Sequence, residues 1–397
     1  MRNRRLRHRN VVVFGVTAAI SARLFLDGHL ASARTSGREV HLVVGESGAE
    51  KFAASQGAQP HVVNMRREPH VWADLVALIQ LLALLSTIKP STVVFGTPKM
   101  GLLGILASRF AGVPNRVYVL HGLRSEGARG PLAAVLYLLE LLTHCNATQV
   151  ITVSHSLRRQ ALQRKLAPPQ KVVTVGAGSA NGIDIARFTP PQAHERSRAR
   201  NKFNIPQGAK VIAYVGRLNA DKGLGMMVQT YAQLRSSDTD AWLLLVGAVE
   251  ATTDAERSAV AVLDSFPQVV RLPHIEDVLS VYHCADLLWL FTKREGLPTV
   301  VLEAAATGIP TIATIATGTT DAVSHGHTGI LVEQDEVSVA AHMTRRLLHD
   351  QQLNTQLGEA ARLRVVRHFN RDLVTAQWSR HLYEANALSS MAAQSQN

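Results

Sequence analysis

The sequence predicts an α/β protein with two doubly wound domains, each built on a parallel sheet. Short apolar or β-branched runs alternate with helical patterns from end to end, and strands spaced by helices pair in parallel through right-handed crossovers. The length of 397 residues suits two or three domains of roughly 100 to 200 residues each. The predicted strands are residues 11–16, 40–44, 61–64, 92–95, 116–120, 149–153, 171–175, 210–215, 242–246, 269–272, 286–291, 310–313 and 329–332.

A segment poor in apolar residues, 188–208, contains three prolines and predicts the linker between the domains. The predicted domains are then residues 1–187 and 209–370. A C-terminal helix and tail, 371–397, is expected to pack back toward the first domain. Ligands of doubly wound sheets bind outside the carboxyl ends of the strands, so the expected site is the cleft between the domains.

The composition excludes a disordered or disulfide-stapled chain. Hydrophobic residues make up 46% and charged residues 18%. Two cysteines, Cys145 and Cys284, are too few for a disulfide framework and lack a zinc-binding spacing, so both are interpreted as buried thiols in a reducing compartment.

The positive charge is confined to one half of the chain. Residues 1–190 hold 23 Lys/Arg and 9 Asp/Glu, a net of +14, whereas residues 191–397 hold 19 and 21, a net of −2. A nucleic acid, an anionic membrane surface or a phosphorylated substrate would suit the basic half. Nucleic-acid binding rests on charge alone, because aromatic residues are only 5% and no recognised motif accompanies the charge.

The first 26 residues imitate a signal peptide, with a basic segment before an apolar core. The alternative is a basic arm that leads into a first buried strand, 11–16. We favour the strand, because the βα rhythm continues directly from it.

Two further stretches, 75–85 and 131–142, are strongly apolar, but neither reaches the roughly 18 to 20 uninterrupted apolar residues of a membrane span. Buried helices are one interpretation of both. Attachment to a membrane surface is the other, because the basic excess lies on the same half.

The densest group of candidate site residues lies in Arg294–Pro310. A buried strand precedes a loop with Gly296, and Pro298 suits the first position of the helix that follows. The N-terminus of that helix would favour an anion such as a diphosphate. Glu295 and Glu303 would then accept hydrogen bonds from sugar hydroxyls; the alternative is that Glu295 only favours the helix dipole and Glu303 is a solvated surface residue.

A second group follows the predicted strand 210–215. Arg217 and Lys222 lie on the loop after Gly216, just before a helix, and both could point at a pair of phosphates. An ordinary salt-bridged loop is the alternative. The chain has no GxGxxG fingerprint or Walker loop, so a nicotinamide dehydrogenase or a P-loop ATPase is unsupported.

Further motifs accompany these two groups along the chain. The full set is Thr97–Gly104, His121–Arg124, Gly178–Asp184, Gly216–Leu218, Lys222–Gly223, Glu295–Pro298, Glu303, Gly308–Pro310, Gly318 and Gly326–Gly329. Together these motifs resemble family four of the retaining glycosyltransferases, and the resemblance covers residues 11–385. The first-half motifs are similar to the branch that builds bacterial capsules, exopolysaccharides and O-antigens on lipid carriers.

The resemblance implies a GT-B fold, in which two Rossmann-like domains face each other across a cleft and the second holds a nucleotide sugar. UDP is the expected nucleotide, ahead of GDP. Carried over by position, Arg217 and Lys222 would bind the diphosphate and Glu303 would bind the ribose. Glu295, with Gly296, Leu297, Pro298 and Thr299, would hold the donor sugar. Gly216, Gly247 and Ile275 would surround the nucleotide, and His121 would face the reacting centre.

The resemblance also implies transfer of a hexosyl or N-acetylhexosaminyl group with retention, without a metal or a cofactor. The acceptor is expected to be a polyprenyl-diphosphate-linked sugar, bound by the first domain. Lys99, Arg66, Arg67 and Arg124 are the candidate acceptor-binding residues, and a generally basic surface is the alternative. The implied location is the cytoplasm, peripheral on the inner face of the plasma membrane.

One departure from the family pattern lies in the first loop. Residues 15–21 lack the paired glycines with which many members approach the donor phosphates, and Ser21 is a possible contact instead. Two other functions remain open: a nucleotide-sugar binding protein without turnover, and an epimerase of the same fold that needs no acceptor.

Overall fold

The computed structural model describes residues 9–66, 68, 70–237 and 240–384. The chain divides into two units. The first runs to Gly182 and resumes at Arg371, and the second is Ile183–Asn370.

The first unit is built on a seven-stranded sheet in the order β3-β2-β1-β4-β5-β6-β7, and every neighbouring pair is parallel. The strands are β1 (Arg9–Val16), β2 (Glu39–Val44), β3 (Gln59–Val62), β4 (Pro90–Gly96), β5 (Asn115–Leu120), β6 (Gln149–Thr152) and β7 (Val172–Thr174). The helices are α1 (Ala19–Leu26), α2 (His29–Thr35), α3 (Glu50–Ser55), α4 (Val71–Ile88), α5 (Pro98–Phe110), α6 (Gly130–Asn146) and α7 (His155–Gln163).

The second unit is built on a six-stranded parallel sheet in the order β10-β9-β8-β11-β12-β13. The strands are β8 (Lys210–Val215), β9 (Ala241–Val246), β10 (Val269–Leu272), β11 (Leu287–Leu290), β12 (Thr311–Thr314) and β13 (Gly329–Val332). The helices are α8 (Ala193–Lys202), α9 (Leu224–Ser236), α10 (Asp254–Asp264), α11 (Leu279–Cys284), α12 (Thr299–Ala306), α13 (Thr319–Ala322), α14 (Val337–His349) and α15 (Gln351–His368), and α16 (Arg371–Ser379) returns to the first unit.

The predicted α/β class is confirmed, and each predicted strand is present to within two residues at either end. The apolar run that imitates a signal peptide is β1, which pairs with both β2 and β4. Val11, Val12 and Val13 are buried in the core of the first unit. The strand interpretation of this run is therefore the correct one.

The segment 188–208, predicted as a linker, belongs to the second unit and contains α8. Arg196 and Arg200 of this helix both pair with Asp286, which precedes β11 and also accepts a hydrogen bond from the Val211 amide at 2.8 Å. Because ion pairs rather than an apolar stripe attach α8, hydrophobic patterning cannot detect it. The chain passes between the units at Gly182–Ile183 and Asn370–Arg371 instead.

The C-terminal helix α16 packs against α2 of the first unit. Arg371 pairs with Asp27 at 2.8 Å, and the Trp378 indole donates to the Ser179 carbonyl at 3.3 Å. Residues 385–397 of the predicted tail lie outside the described residues.

Two apolar helices are less buried than the buried-helix interpretation predicts. Within the described residues, Val71–Ile88 is the one helix long and apolar enough to cross a membrane, with a mean hydropathy of 2.0, and only 17% of it is buried. It connects the parallel strands β3 and β4 and packs against α5, so it is a crossover helix of the sheet. Helix α6 also exposes large apolar side chains. Of the two cysteines, Cys284 is buried as predicted, whereas Cys145 is exposed.

A buried histidine makes the stability of the first unit depend on pH. The His29 Nε2–H donates to the Ala180 carbonyl at 2.6 Å, and the ring lies edge-on to Trp378. Burial lowers the pKa of His29 from 6.5 to about 4, so it stays neutral at pH 5 while the unfolded chain takes up a proton. Above pH 6.5 the neutral His29 therefore makes its full contribution to the free energy of unfolding. As the pH falls toward 4, this contribution of about 3 kcal/mol is lost.

We expect His29→Gln, whose side-chain amide also donates a hydrogen bond, to remove this dependence. The difference in unfolding free energy between the native protein and the variant should shrink between pH 7 and pH 4.5, as measured by urea unfolding. Other titrating groups, including His121, cancel in this difference. Parallel curves for the two proteins would show that His29 does not carry the effect.

Candidate functional site

The candidate site lies at the carboxyl edge of the second sheet. Strands β8 and β11 are neighbours at its centre, and the order of the chain reverses between them, as at the ligand-binding edge of doubly wound sheets. The loop after β8 carries Arg217 and Lys222, and the loop after β11 carries residues 295–299.

The structure brings Lys222 and Glu295 together across 73 residues of sequence. The Lys222 ammonium group pairs directly with a Glu295 carboxylate oxygen, and the two side chains are 18% and 20% exposed. Backbone contacts hold both residues, because the Lys222 amide donates to Asn219 Oδ1 at 3.0 Å and the Glu295 amide donates to the Thr317 carbonyl at 3.0 Å. A cation and a carboxylate are thus placed side by side at the edge of the sheet.

Two glycines permit this close approach of the loops. Gly223 has φ +75°, and a Cβ there would lie 1.8 Å from the Phe291 carbonyl oxygen. Gly318 has φ +80°, and a Cβ there would lie 2.5 Å from the Gly296 carbonyl oxygen. A side chain at position 223 would push the Lys222 loop away from the end of β11, and a side chain at position 318 would push the loop after β12 away from the Glu295 loop.

A second ion pair joins the same two loops. Arg294 Nη2 donates to Asp221 Oδ2 at 2.9 Å, and the Lys293 amide donates to the Asp221 carbonyl at 2.9 Å. Asp221 was not among the predicted site residues, and Arg294 opened the candidate segment Arg294–Pro310 without a role of its own. Each residue directly precedes a predicted site residue, Asp221 before Lys222 and Arg294 before Glu295, and this adjacency could have indicated that they belong to the site.

Arg217 occupies a different environment from Lys222. Its guanidinium group is 57% exposed and pairs with Glu250, in the loop after β9, at 2.7 Å. Tyr214 donates its hydroxyl to the Arg217 carbonyl at 2.7 Å, and burial raises the pKa of the Tyr214 phenol. This arrangement matches the salt-bridged loop, the alternative to phosphate binding that the sequence allowed. A role of Arg217 in phosphate binding stays a prediction.

Glu303 is half-buried on α12 and accepts a hydrogen bond from the Tyr282 hydroxyl at 2.7 Å. Burial, with the nearby Glu303 carboxylate, raises the pKa of the Tyr282 phenol, so it remains a donor at neutral pH. The alternative of Glu303 as a solvated surface residue is therefore wrong. Sequence reasoning missed Tyr282, because nothing in the local pattern links α11 to the carboxylate one helix later.

The remaining predicted donor residues follow the ends of neighbouring strands in the second sheet. Gly216 follows β8, Gly247 follows β9, and Ile275 lies in the loop after β10. Gly296, Leu297 and Pro298 lie between β11 and α12, and Thr299 is the first residue of that helix.

In the first unit, His121 follows β5, and its ring stacks on Phe25 with the centroids 4.2 Å apart. A Cβ at Gly96 would lie 2.8 Å from its Nε2 atom, so Gly96 leaves room for the ring. Burial lowers the pKa of His121 to about 4, which keeps the imidazole neutral at pH 7. Ser21 lies in the first turn of α1, after β1.

The candidate acceptor residues are not equivalent. The Lys99 ammonium group is mostly buried, pairs with Asp74 at 2.8 Å and donates to the Glu68 carbonyl at 2.6 Å, so it holds α4 in place. Arg66 and Arg124 are exposed after β3 and β5. Arg67 lies outside the described residues.

Comparison with known proteins identifies the family. Residues 195–364 match the model for glycosyl transferases group 1, and residues 29–178 match a glycosyl transferase 4-like domain. The chain is also 30% identical over 366 residues to the capsular polysaccharide biosynthesis glycosyltransferase CapM of Staphylococcus aureus, covering 92% of this chain and 95% of CapM. This chain belongs to the glycosyltransferases.

A second relative of the glycosyltransferase is the UDP-Gal:alpha-D-GlcNAc-diphosphoundecaprenol alpha-1,3-galactosyltransferase of Escherichia coli, 25% identical over 75% of this chain and 76% of the relative. Among solved structures, Anabaena HepE in complex with UDP-glucose matches with a TM-score of 0.78 and 18% identity, covering 94% of this chain and 99% of HepE. Sucrose-phosphate synthase from Thermosynechococcus elongatus matches with a TM-score of 0.80 and 19% identity, covering 96% and 100% of the two chains. These structural matches establish the two-domain GT-B fold of the glycosyltransferase.

Proposed function

We propose that this glycosyltransferase moves a sugar, with retention of anomeric configuration, from a UDP-sugar to a lipid-linked saccharide during synthesis of a bacterial capsule or related surface polysaccharide. The observation that carries the proposal is the pairing of Lys222 with Glu295 at the carboxyl edge of β8 and β11. A cation for phosphate and a carboxylate for sugar hydroxyls are what a nucleotide-sugar site needs side by side.

In the proposed complex, Lys222 turns from Glu295 to the donor diphosphate, assisted by Arg217 and by the N-terminus of α12. Glu295 then accepts hydrogen bonds from the sugar hydroxyls, and Glu303, oriented by Tyr282, accepts those of the ribose. The base rests against the loops at Gly247 and Ile275.

The proposed catalysis is electrostatic. Negative charge grows on the leaving diphosphate as the glycosidic bond breaks, and a preorganised cation stabilises it without a metal or a cofactor. The oxygen of the acceptor hydroxyl bonds to the anomeric carbon as the bond from that carbon to the diphosphate breaks. The departing phosphate oxygen takes the hydroxyl proton, so a separate enzymatic base is unnecessary. His121, neutral at pH 7, would hold a donor hydroxyl by hydrogen bonding rather than by charge.

The relatives support the choice of substrates. CapM is named for capsular polysaccharide biosynthesis, and the E. coli relative is named for a UDP-galactose donor and a diphosphoundecaprenol-linked acceptor. The acceptor diphosphate would meet the basic first unit at Arg66 and Arg124. We place the enzyme in the cytoplasm, in peripheral contact with the inner face of the plasma membrane.

A thermal-shift screen with UDP, GDP and their sugars tests the donor. We expect UDP and one or more UDP-sugars to raise the melting temperature by several degrees, and GDP to have little effect. Transfer of the labelled sugar to a detergent-solubilised polyprenyl-diphosphate GlcNAc acceptor tests the reaction. Donor binding without transfer to any of a panel of lipid-linked acceptors would favour a silent binder, and conversion of the donor without an acceptor would indicate an epimerase.

A further inference from the structure

Two helices of the first unit, α4 and α6, expose apolar stripes. Helices α4 and α6 both pack against α5, and their outward residues recur at helical spacing and are 40% to 81% exposed. The stripe of α4 consists of Val71, Trp72, Leu75, Val76 and Ile79, and that of α6 consists of Leu132, Val135, Leu138, Leu139 and Leu142. We call these ten residues the apolar stripes.

The apolar stripes carry no charged side chain. Each of the two helices holds one acidic residue and no lysine or arginine, and each acidic residue bonds to another residue of the first unit. Asp74 of α4 pairs with Lys99 at 2.8 Å. Glu140 of α6 accepts hydrogen bonds from the Ser125 amide at 3.0 Å and the Ser125 hydroxyl at 2.6 Å. A neutral apolar surface of this extent is unusual on a soluble protein and marks a contact surface.

The helices that carry the stripes begin near the candidate acceptor residues of the first unit. A crossover helix begins at the carboxyl edge of the strand before it, so α4 and α6 both begin at the edge where His121 lies. The α4 stripe is confined to the first half of its helix, next to that edge. Three exposed cations, Arg66, Arg124 and Arg129, lie on the segments that lead into the two helices.

We propose that the apolar stripes insert into the interface of an anionic lipid bilayer. Apolar side chains would enter the headgroup region, the Trp72 indole would lie at the water boundary, and the flanking arginines would contact acidic headgroups. The inference rests on the proposed lipid-linked acceptor, because the same edge of the sheet would then receive a diphosphate from the membrane surface.

Vesicle binding of the full chain tests the inference. The variant Trp72→Gln/Ile79→Gln/Leu132→Gln/Leu138→Gln removes apolar area from both stripes, and glutamine is a good helix former. The control is Val262→Gln/Leu363→Gln, which replaces two exposed apolar residues on helices of the second unit. Sedimentation with phosphatidylcholine vesicles, with and without about 30% phosphatidylglycerol, measures partitioning, and light scattering after gel filtration measures the oligomeric state.

We expect the native protein and the control to partition onto the anionic vesicles, and the stripe variant to partition at least roughly tenfold less. The UDP thermal shift and transfer to the detergent-solubilised acceptor should stay the same in all three, so a failure of the proposed function would appear there and not in sedimentation. Equal partitioning of the stripe variant and the native protein would overturn the inference. So would a native dimer that does not bind vesicles and that the stripe variant dissociates, because the stripes would then bind a second copy.

Discussion

Lys222→Ala is expected to reduce the rate of sugar transfer at saturating donor by about 100-fold or more, while the melting temperature changes by only a few degrees. The ammonium group is the cation placed beside Glu295, and loss of one preorganised charge at a leaving group costs about 10²- to 10³-fold. The effect on stability should be small, because the pair is partly solvated and the ammonium group does not hold the loop. The loop is held by the hydrogen bond from the Lys222 amide to Asn219 Oδ1 and by the close approach of Gly223 to Phe291. Single-turnover transfer and thermal unfolding measure the two effects.

The matched control for this variant is Arg235→Ala. Arg235 pairs with Asp240 at 3.1 Å at the end of α9, away from the carboxyl edge of the sheet, so its loss removes an ion pair of the same unit without touching the site. We expect its transfer rate to match that of the native protein. Transfer by Lys222→Ala within threefold of the native rate would contradict the assigned role, and a large loss of stability would make Lys222 a structural residue.

Glu303→Ala is expected to weaken donor binding by about 10- to 100-fold, the value of a hydrogen bond to a charged group. It should also destabilise the protein, because the buried Tyr282 hydroxyl loses its acceptor at a cost of roughly 1 to 3 kcal/mol. The two effects have different origins, and conservative variants separate them.

Glu303→Gln keeps an oxygen that accepts the Tyr282 hydroxyl, so stability should recover while donor affinity stays low. Tyr282→Phe removes the hydroxyl and leaves the carboxylate, so donor affinity should fall only severalfold through looser positioning of Glu303. UDP titration by calorimetry and urea unfolding measure the two quantities. Native donor affinity in Glu303→Gln would show that the carboxylate does not bind the ribose.

Much of the candidate site could be predicted from the sequence, because its residues directly follow strands that the local sequence encodes. Buried β-branched runs such as 210–215 specify strands, and the polar residues directly after them, such as Arg217 and Glu295, must lie at one edge of a parallel sheet. Contacts between different loops were not accessible in this way. The partners of Lys222 and Arg217 depend on which loops the order of the strands brings together, and the partner of Glu303 depends on how α11 and α12 lie beside each other.

Short-range apolar runs and turn residues encode the α/β class, the strands of both sheets and the local positions of Glu295 and Glu303, so these features can be predicted from the sequence. Three features follow only from long-range packing: α8 belongs to the second unit, Tyr282 holds Glu303, and α4 and α6 leave apolar faces uncovered. Periodicity shows that a helix has an apolar stripe. Whether another element covers that stripe depends on packing between residues that are distant along the chain.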